Sequence, residues 1–172
     1  TAPAGWTTLD NTGFTPGLGI FWKIASSAEP SSYTFPVGGT TNIVGAILRY
    51  EGVDTSNPIS AFVMASSSSG TITAPDAVVS TNDNFVLRIA AAAGAANTDF
   101  TGSTPRVNIA NTSAFSLLVG ESSLLTAGNT GISTSDTGSH DAATLVITQA
   151  PNCYTIDQGG TVNTCTGTFY DS

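Results

Sequence analysis

Apolar residues in this chain recur at alternate positions or in short runs of about four to eight, and each run closes on a cluster of Gly, Pro, Asn, Asp or Ser. A period of two matches side chains pointing to opposite faces of a strand. The spacing predicts an all-β chain, a two-sheet antiparallel β-sandwich in jelly-roll or immunoglobulin-like order. Predicted strands cover Leu18 to Ala25, Ser32 to Val37, Ile43 to Tyr50, Ile59 to Ala65, Thr71 to Ser80, Phe85 to Ala92, Arg106 to Ala110, Ala114 to Gly120 and Ala143 to Gln149. Between them lie PVGGTTN, GVDTSNP, ASSSSG, TNDN and ITQAPN, whose residues favour turns through positive φ, fixed φ or side-chain bonds to the local backbone.

One stretch competes for helix. Ile89 to Ala96 (IAAAAGAA) is rich in the best helix former, but the run is short, meets Gly94 and continues the strand-like FVLRI. It is read as a strand whose small alanines let a second sheet approach closely. No internal repeat of solenoid or propeller length is evident. The one shift in composition falls at Pro151, which divides a sandwich domain over residues 1–150 from an extension, or the start of a following module, over residues 151–172.

Charge narrows the function classes. Only 9% of the 172 residues are charged, and twelve carboxylates face four basic residues, Lys23, Arg49, Arg88 and Arg106, for a net charge of −8. So few cations cannot neutralise a track of phosphates, so nucleic acid is not an expected partner. Membrane insertion is not expected either, because no apolar run reaches the roughly 18 to 20 residues a helical span requires. The surface is instead supplied by Ser, Thr, Asn and Gly, which suits an extracellular protein. Cys153 and Cys165 enclose a Gly-containing, hairpin-sized loop; a disulfide between them fits an oxidising compartment and would contribute about 3 kcal/mol through loop closure.

Residues able to carry chemistry are sparse, and no catalytic set or cofactor is expected. Asp136 and Asp141 flank His140 in a turn-rich stretch and form a weak Ca²⁺ candidate; acidic turn residues are more commonly just solvated. His140 has no evident nucleophile beside it. Glu29, Glu51, Asp54 and Asp76 are scattered acids from which a glycosidase pair could be drawn, but Glu29 and Asp54 read better as turn formers. Among Trp6, Trp22, Tyr33, Phe35, Tyr50 and Phe62, Trp6 lies in a turn-rich segment and is the candidate glycan contact; the rest are expected to fill core. Arg49 and Arg88, placed mid-strand, and Tyr154 and Tyr170, in the extension, are the candidate assembly contacts. Asn111-Thr112-Ser113 is a glycosylation sequon.

PAGWTTLD, GIFWKIASSAEPSSYTFP, AILRYEGVDTSNPIS and VVSTNDNFVLRIAAAAG, together spanning roughly Pro3 to Ile89 and a little beyond, resemble a β-sandwich domain recurrent in large secreted or cell-surface bacterial proteins and in some phage structural proteins. ATLVITQAP is similar to that domain's closing strand, and TVNTCTGTFYDS resembles the opening of a CUB-like domain. The resemblance implies a structural or adhesive module and not a particular activity. Such domains normally carry one or two strands before the Gly-Trp, here Gly5-Trp6. The expectation is therefore either a piece of a longer protein or a subunit completed by a neighbour's strand, with Thr1 to Leu9 and Cys153 to Tyr170 as contact segments. The expected partners are further copies, neighbouring domains of the same protein, or a glycan.

Overall fold

The computed structural model describes residues 2–11, 15–38, 42–94, 98–111, 114–124 and 126–150. Among them the chain is all-β, with no helix. Its main element is a five-stranded antiparallel sheet in the order β3–β11–β6–β8–β7, formed by β3 (Ile59–Ser67), β6 (Asn84–Ala93), β7 (Thr104–Asn111), β8 (Phe115–Leu124) and β11 (His140–Thr148). Three two-stranded sheets accompany it: β1 (Thr7–Asn11) with β2 (Gly19–Trp22), β4 (Thr71–Ala74) with β10 (Ser133–Thr137), and β5 (Val78–Val79) with β9 (Gly128–Asn129).

β6 lies at the centre of the sheet and is buried on both faces. Leu87, Ile89 and Ala91 point to one side, where Leu145 and Ala143 of β11 and Val119 and Leu117 of β8 join them. Leu18 and Ile20 of the β1–β2 hairpin cap this cluster, and Val44, Leu48 and Tyr50 pack beside them. On the opposite side Ala90 and Ala92 meet Ile72 and Ala74 of β4, Phe100, Leu118 and Ala142. Further along the same side, Val86 and Val146 meet Ala77 and Val79 around β5. The Ile89–Ala93 run is thus a strand, as its continuity with FVLRI predicts. Its alanines let β4 lie close, since Ala90 and Ala92 have no accessible surface left.

Strands β3, β6, β7, β8 and β11 fall where the alternation predicts them. The predicted strand over Thr71 to Ser80 is split, because Pro75 has no N–H to continue a ladder. The Pro75 carbonyl instead accepts a hydrogen bond from Thr144 Oγ1. Two other predicted strands, Ser32 to Val37 and Ile43 to Tyr50, carry no strand pairing. The second keeps the alternation that suggested it, with Val44, Leu48 and Tyr50 on the core while Ile43 and Ile47 face solvent, but it has no neighbouring strand to bond. β1, β9 and β10 have no counterpart in the alternation. Their residues, TTLDN, GN and STSDT, lack an apolar stripe.

Gly120 of β8 occupies a close approach. A Cβ there would lie 2.7 Å from Ser103 Cβ and 3.2 Å from Phe100 Cβ, and the loop before β7 has no slack for it. Gly120→Ala is expected to lower stability by about 1 to 3 kcal/mol, measured by equilibrium urea unfolding. A change near zero would show that this loop yields.

Candidate functional site

Two adjoining shallow depressions, of about 520 and 390 Å³, share Phe85 and Glu121. Glu121 stands on β8 opposite Leu87, so it projects on the face covered by the hairpin, at the sheet end where that cover stops. Tyr50 reaches it from the segment after Leu48, and its hydroxyl donates to Glu121 Oε2 at 2.7 Å. Arg106, on edge strand β7, donates from Nη2 to Oε1 at 2.7 Å and from Nε to Oε2 at 3.1 Å, a bidentate fork. The Tyr50 and Phe85 rings lie tilted beside each other, centroids 5.5 Å apart. Ser103, Thr104, Ser122 and Ser123 bring hydroxyls to one depression, and the exposed pair Arg49–Glu51, 2.9 Å apart, flanks the other.

The electrostatics follow from that geometry. The hydrogen bonds from Arg106 hold the Glu121 carboxyl below the usual carboxylate range, against a smaller opposing effect of burial. Burial, helped by the bond to Glu121, pushes the Tyr50 phenol up. Glu121 is therefore an ionised anchor that fixes a tyrosine and an arginine in place, with both of its oxygens accepting.

A second group surrounds Trp6. Its indole meets Tyr33 and Phe35 edge-on at 5.1 and 5.3 Å, and Phe35 in turn lies 5.8 Å from Phe21 of β2. Lys23 Nζ sits 5.3 Å from the Tyr33 ring centre and pairs with Glu29 at 2.7 Å. That bond is the main cause of the lowered Glu29 carboxyl. Trp6 is half-buried with its N–H turned inward, so this candidate glycan contact is built into an aromatic cluster and not laid flat on the surface.

A third group is internal. Arg88, expected at an assembly surface, is 4% exposed: it lies on the face covered by β4 and β5, beside Thr144 and Gly120. That position corrects the expectation, because a mid-strand residue of a central strand faces a covered side whichever way it points. Its Nη2 donates to the carbonyls of Thr130 and Gly131 at 2.7 and 3.0 Å. Desolvation pulls the guanidinium pKa down, and the Asp76 charge opposes it. Asp76 holds the same loop from the other side, accepting from the Gly131 N–H at 2.7 Å and the Thr130 hydroxyl at 3.2 Å.

The remaining sequence candidates are dispersed. Asp141 is fully buried and accepts from the Leu18 N–H at 3.2 Å, which ties the entry to β2 onto β11. Asp136 accepts from the neighbouring Thr137 N–H at 2.9 Å. Among the described residues no three His, Cys, Asp or Glu side chains are grouped as a cation site would require. His140 is buried, its Nδ1 2.9 Å from the Gly138 carbonyl. Asp54 caps a turn through the Ser56 N–H. Cys153, Tyr154, Cys165 and Tyr170 lie outside the described residues, as do Thr112 and Ser113 of the sequon. The Tyr50–Glu121–Arg106 group escaped sequence reasoning because its members are far apart in the chain, and only the pairing of β7 with β8 brings two of them together.

Comparison with protein-family models, with curated proteins and with solved structures finds no match for this chain.

The two shifted groups act at opposite ends of the pH scale. A lowered carboxyl contributes stability above its unfolded pKa of about 4.3 and loses it as pH falls through the folded value, so the stability gap between wild type and Glu121→Gln is expected to close in acid. A raised phenol contributes below its unfolded pKa of about 10 and loses it as pH rises beyond. Tyr50→Phe is expected to cost about 1 to 2 kcal/mol at neutral pH and to flatten the alkaline fall in stability, read from urea midpoints across pH.

Proposed function

We propose that this chain is a non-enzymatic structural module of an extracellular bacterial surface or filament protein. It acts through contacts of its strands and sheet edges, and its core domain is a two-sheet antiparallel sandwich in jelly-roll or immunoglobulin-like order. The observation that carries this reading is the engagement of every basic side chain within the chain itself. Lys23 pairs with Glu29, Arg49 with Glu51 and Arg106 with Glu121, while Arg88 is buried on two carbonyls. Each basic side chain thus already has an acceptor among the described residues, the Arg49–Glu51 pair lying exposed, and a neighbour meets largely main chain, small hydroxyl side chains and isolated aliphatics such as Ile47 and Val78. Contacts of that kind require few ions to be desolvated, which favours close packing of repeated units.

Arg106 holds Glu121 ionised, so this carboxyl does not suit the general-acid role of a glycoside-hydrolysing pair. A second reading, a carbohydrate-binding or adhesin module, is favoured by one feature: the shallow Tyr50–Phe85 surface bordered by hydroxyls. Phe85→Ala would abolish retention on a glycan array under that reading and change nothing under the first.

Electron microscopy of native source material, with intact-mass measurement of the chain, tests the assembly reading. The expected result is an ordered repeat containing this polypeptide, on a filament or a cell-surface layer. Isolated particles, with no ordered contact between copies or with a neighbouring domain, would overturn it.

A further inference from the structure

The two edges of the main sheet are not equivalent. β7 carries Pro105, which has no N–H to offer, and the charged Arg106, while Asn108 Nδ2 donates to Asp99 at 2.9 Å. Those are the features by which edge strands resist pairing. β3 has none of them. It runs nine residues, ISAFVMASS, without a proline, glycine or charge, and no charged side chain occurs between Asp54 and Asp76. Among the described residues it is paired on one side only, to β11.

The register identifies which groups face outward. Thr148 donates its N–H to Pro58 and Gln149 donates to Asp83, so even-numbered residues of β11 turn their main chain toward β3 and odd-numbered ones toward β6. Val146, Thr144 and Ala142 oppose Ala61, Val63 and Ala65, which therefore bond inward. The N–H and C=O groups of Phe62, Met64 and Ser66 point away from the sheet.

We propose that this outer edge is a self-association site: β3 of a second copy adds antiparallel to β3, making one continuous ten-stranded sheet across a two-fold axis. The inference rests on the assembly reading and gives it a defined surface. Self-complementarity selects a second copy as the occupant. An antiparallel strand paired with its own two-fold mate offers the same donors and acceptors in both directions. The chain carries a net charge of −8, which opposes association over most of its surface, but the uncharged span from residue 55 to residue 75 removes that repulsion here. Pairing about an axis at Val63 would set Phe62 against Met64 of the second copy on the face that holds Leu87. Val63, already 36% exposed, would meet its own mate on the other.

Sedimentation velocity of the full chain over a concentration series, with residue-resolved amide exchange, tests this. A concentration-dependent dimer is expected, with the Phe62, Met64 and Ser66 amides gaining protection as it forms. Ala65→Lys adds a charge at an exposed position, and Ser66→Pro removes an outward donor while keeping the inward bonds. Each is expected to weaken dimerisation by about tenfold or more, with thermal melting confirming that both fold. Ile109→Lys on the β7 edge is expected to leave it unchanged. Dimers that persist in both folded β3 variants would overturn the site and leave the assembly reading standing. A wild-type chain that stays monomeric would also overturn it, and the native-material images then decide separately whether assembly runs through other contacts.

Discussion

The burial of β6 on both faces is the constraint from which the rest of this structure follows. A strand at the centre of an antiparallel sheet has its main chain satisfied on both sides, here by β11 and β8, but its side chains still need cover above and below. The chain provides that cover asymmetrically. Leu18 and Ile20 arrive from an N-terminal hairpin on one side, while β4 and β5 arrive on the other by way of the β3–β4 turn, where Gly70 adopts φ 95°. Later β9 and β10 join the β4 and β5 side before β11 returns to the main sheet. The size of the β6 side chains matches the two kinds of cover: Leu and Ile under the hairpin, Ala under β4.

Polar groups fix how those covers sit. Apolar packing alone is not directional, and a layer resting on alanines could slide. On the β5 side, Arg88 and Asp76 hold the Thr130–Gly131 backbone from opposite directions, the one through its carbonyls and the other through the Gly131 N–H. Thr144, fully buried, ties β11 to Pro75 between β4 and β5. On the hairpin side, Asp141 does the corresponding work through the Leu18 N–H. Two of these polar residues, Arg88 and Asp141, were singled out in the sequence as a contact and a ligand; in the fold all four serve to set the register of the layers.

Legibility in the sequence tracks how much each element owes to its own side chains. FVLRIAAAA, ISAFVMAS and ATLVITQ were readable because burial imposes an apolar pattern on them. STSDT and TTLDN were not, since they become strands through a partner's backbone; their own residues are polar, and β10 buries a serine, Ser133, that bonds the Thr101 carbonyl. Ile43 to Tyr50 shows the converse. Its alternation records that one side packs on the core, which a chain can do without joining a ladder. The Tyr50–Glu121–Arg106 group was illegible for a third reason: hydrogen bonds between residues 15 and 71 apart leave no spacing in the sequence to recognise.

The scarcity of charge then has a structural meaning. With four cations among 172 residues, three held in ion pairs and one buried, electrostatics in this chain is spent on shaping and anchoring its own surface. Under the proposed assembly reading, recognition of a neighbour falls to hydrogen-bonding main chain and small side chains. Such a surface discriminates by geometry: a strand edge bonds another strand only in register, and a misplaced one buries unpaired N–H and C=O groups at about 1 to 3 kcal/mol each. A module that assembles this way gains specificity from the regularity of its sheet, so the same alternation that makes the core readable also makes β3 the more exposed of the two edges to pairing.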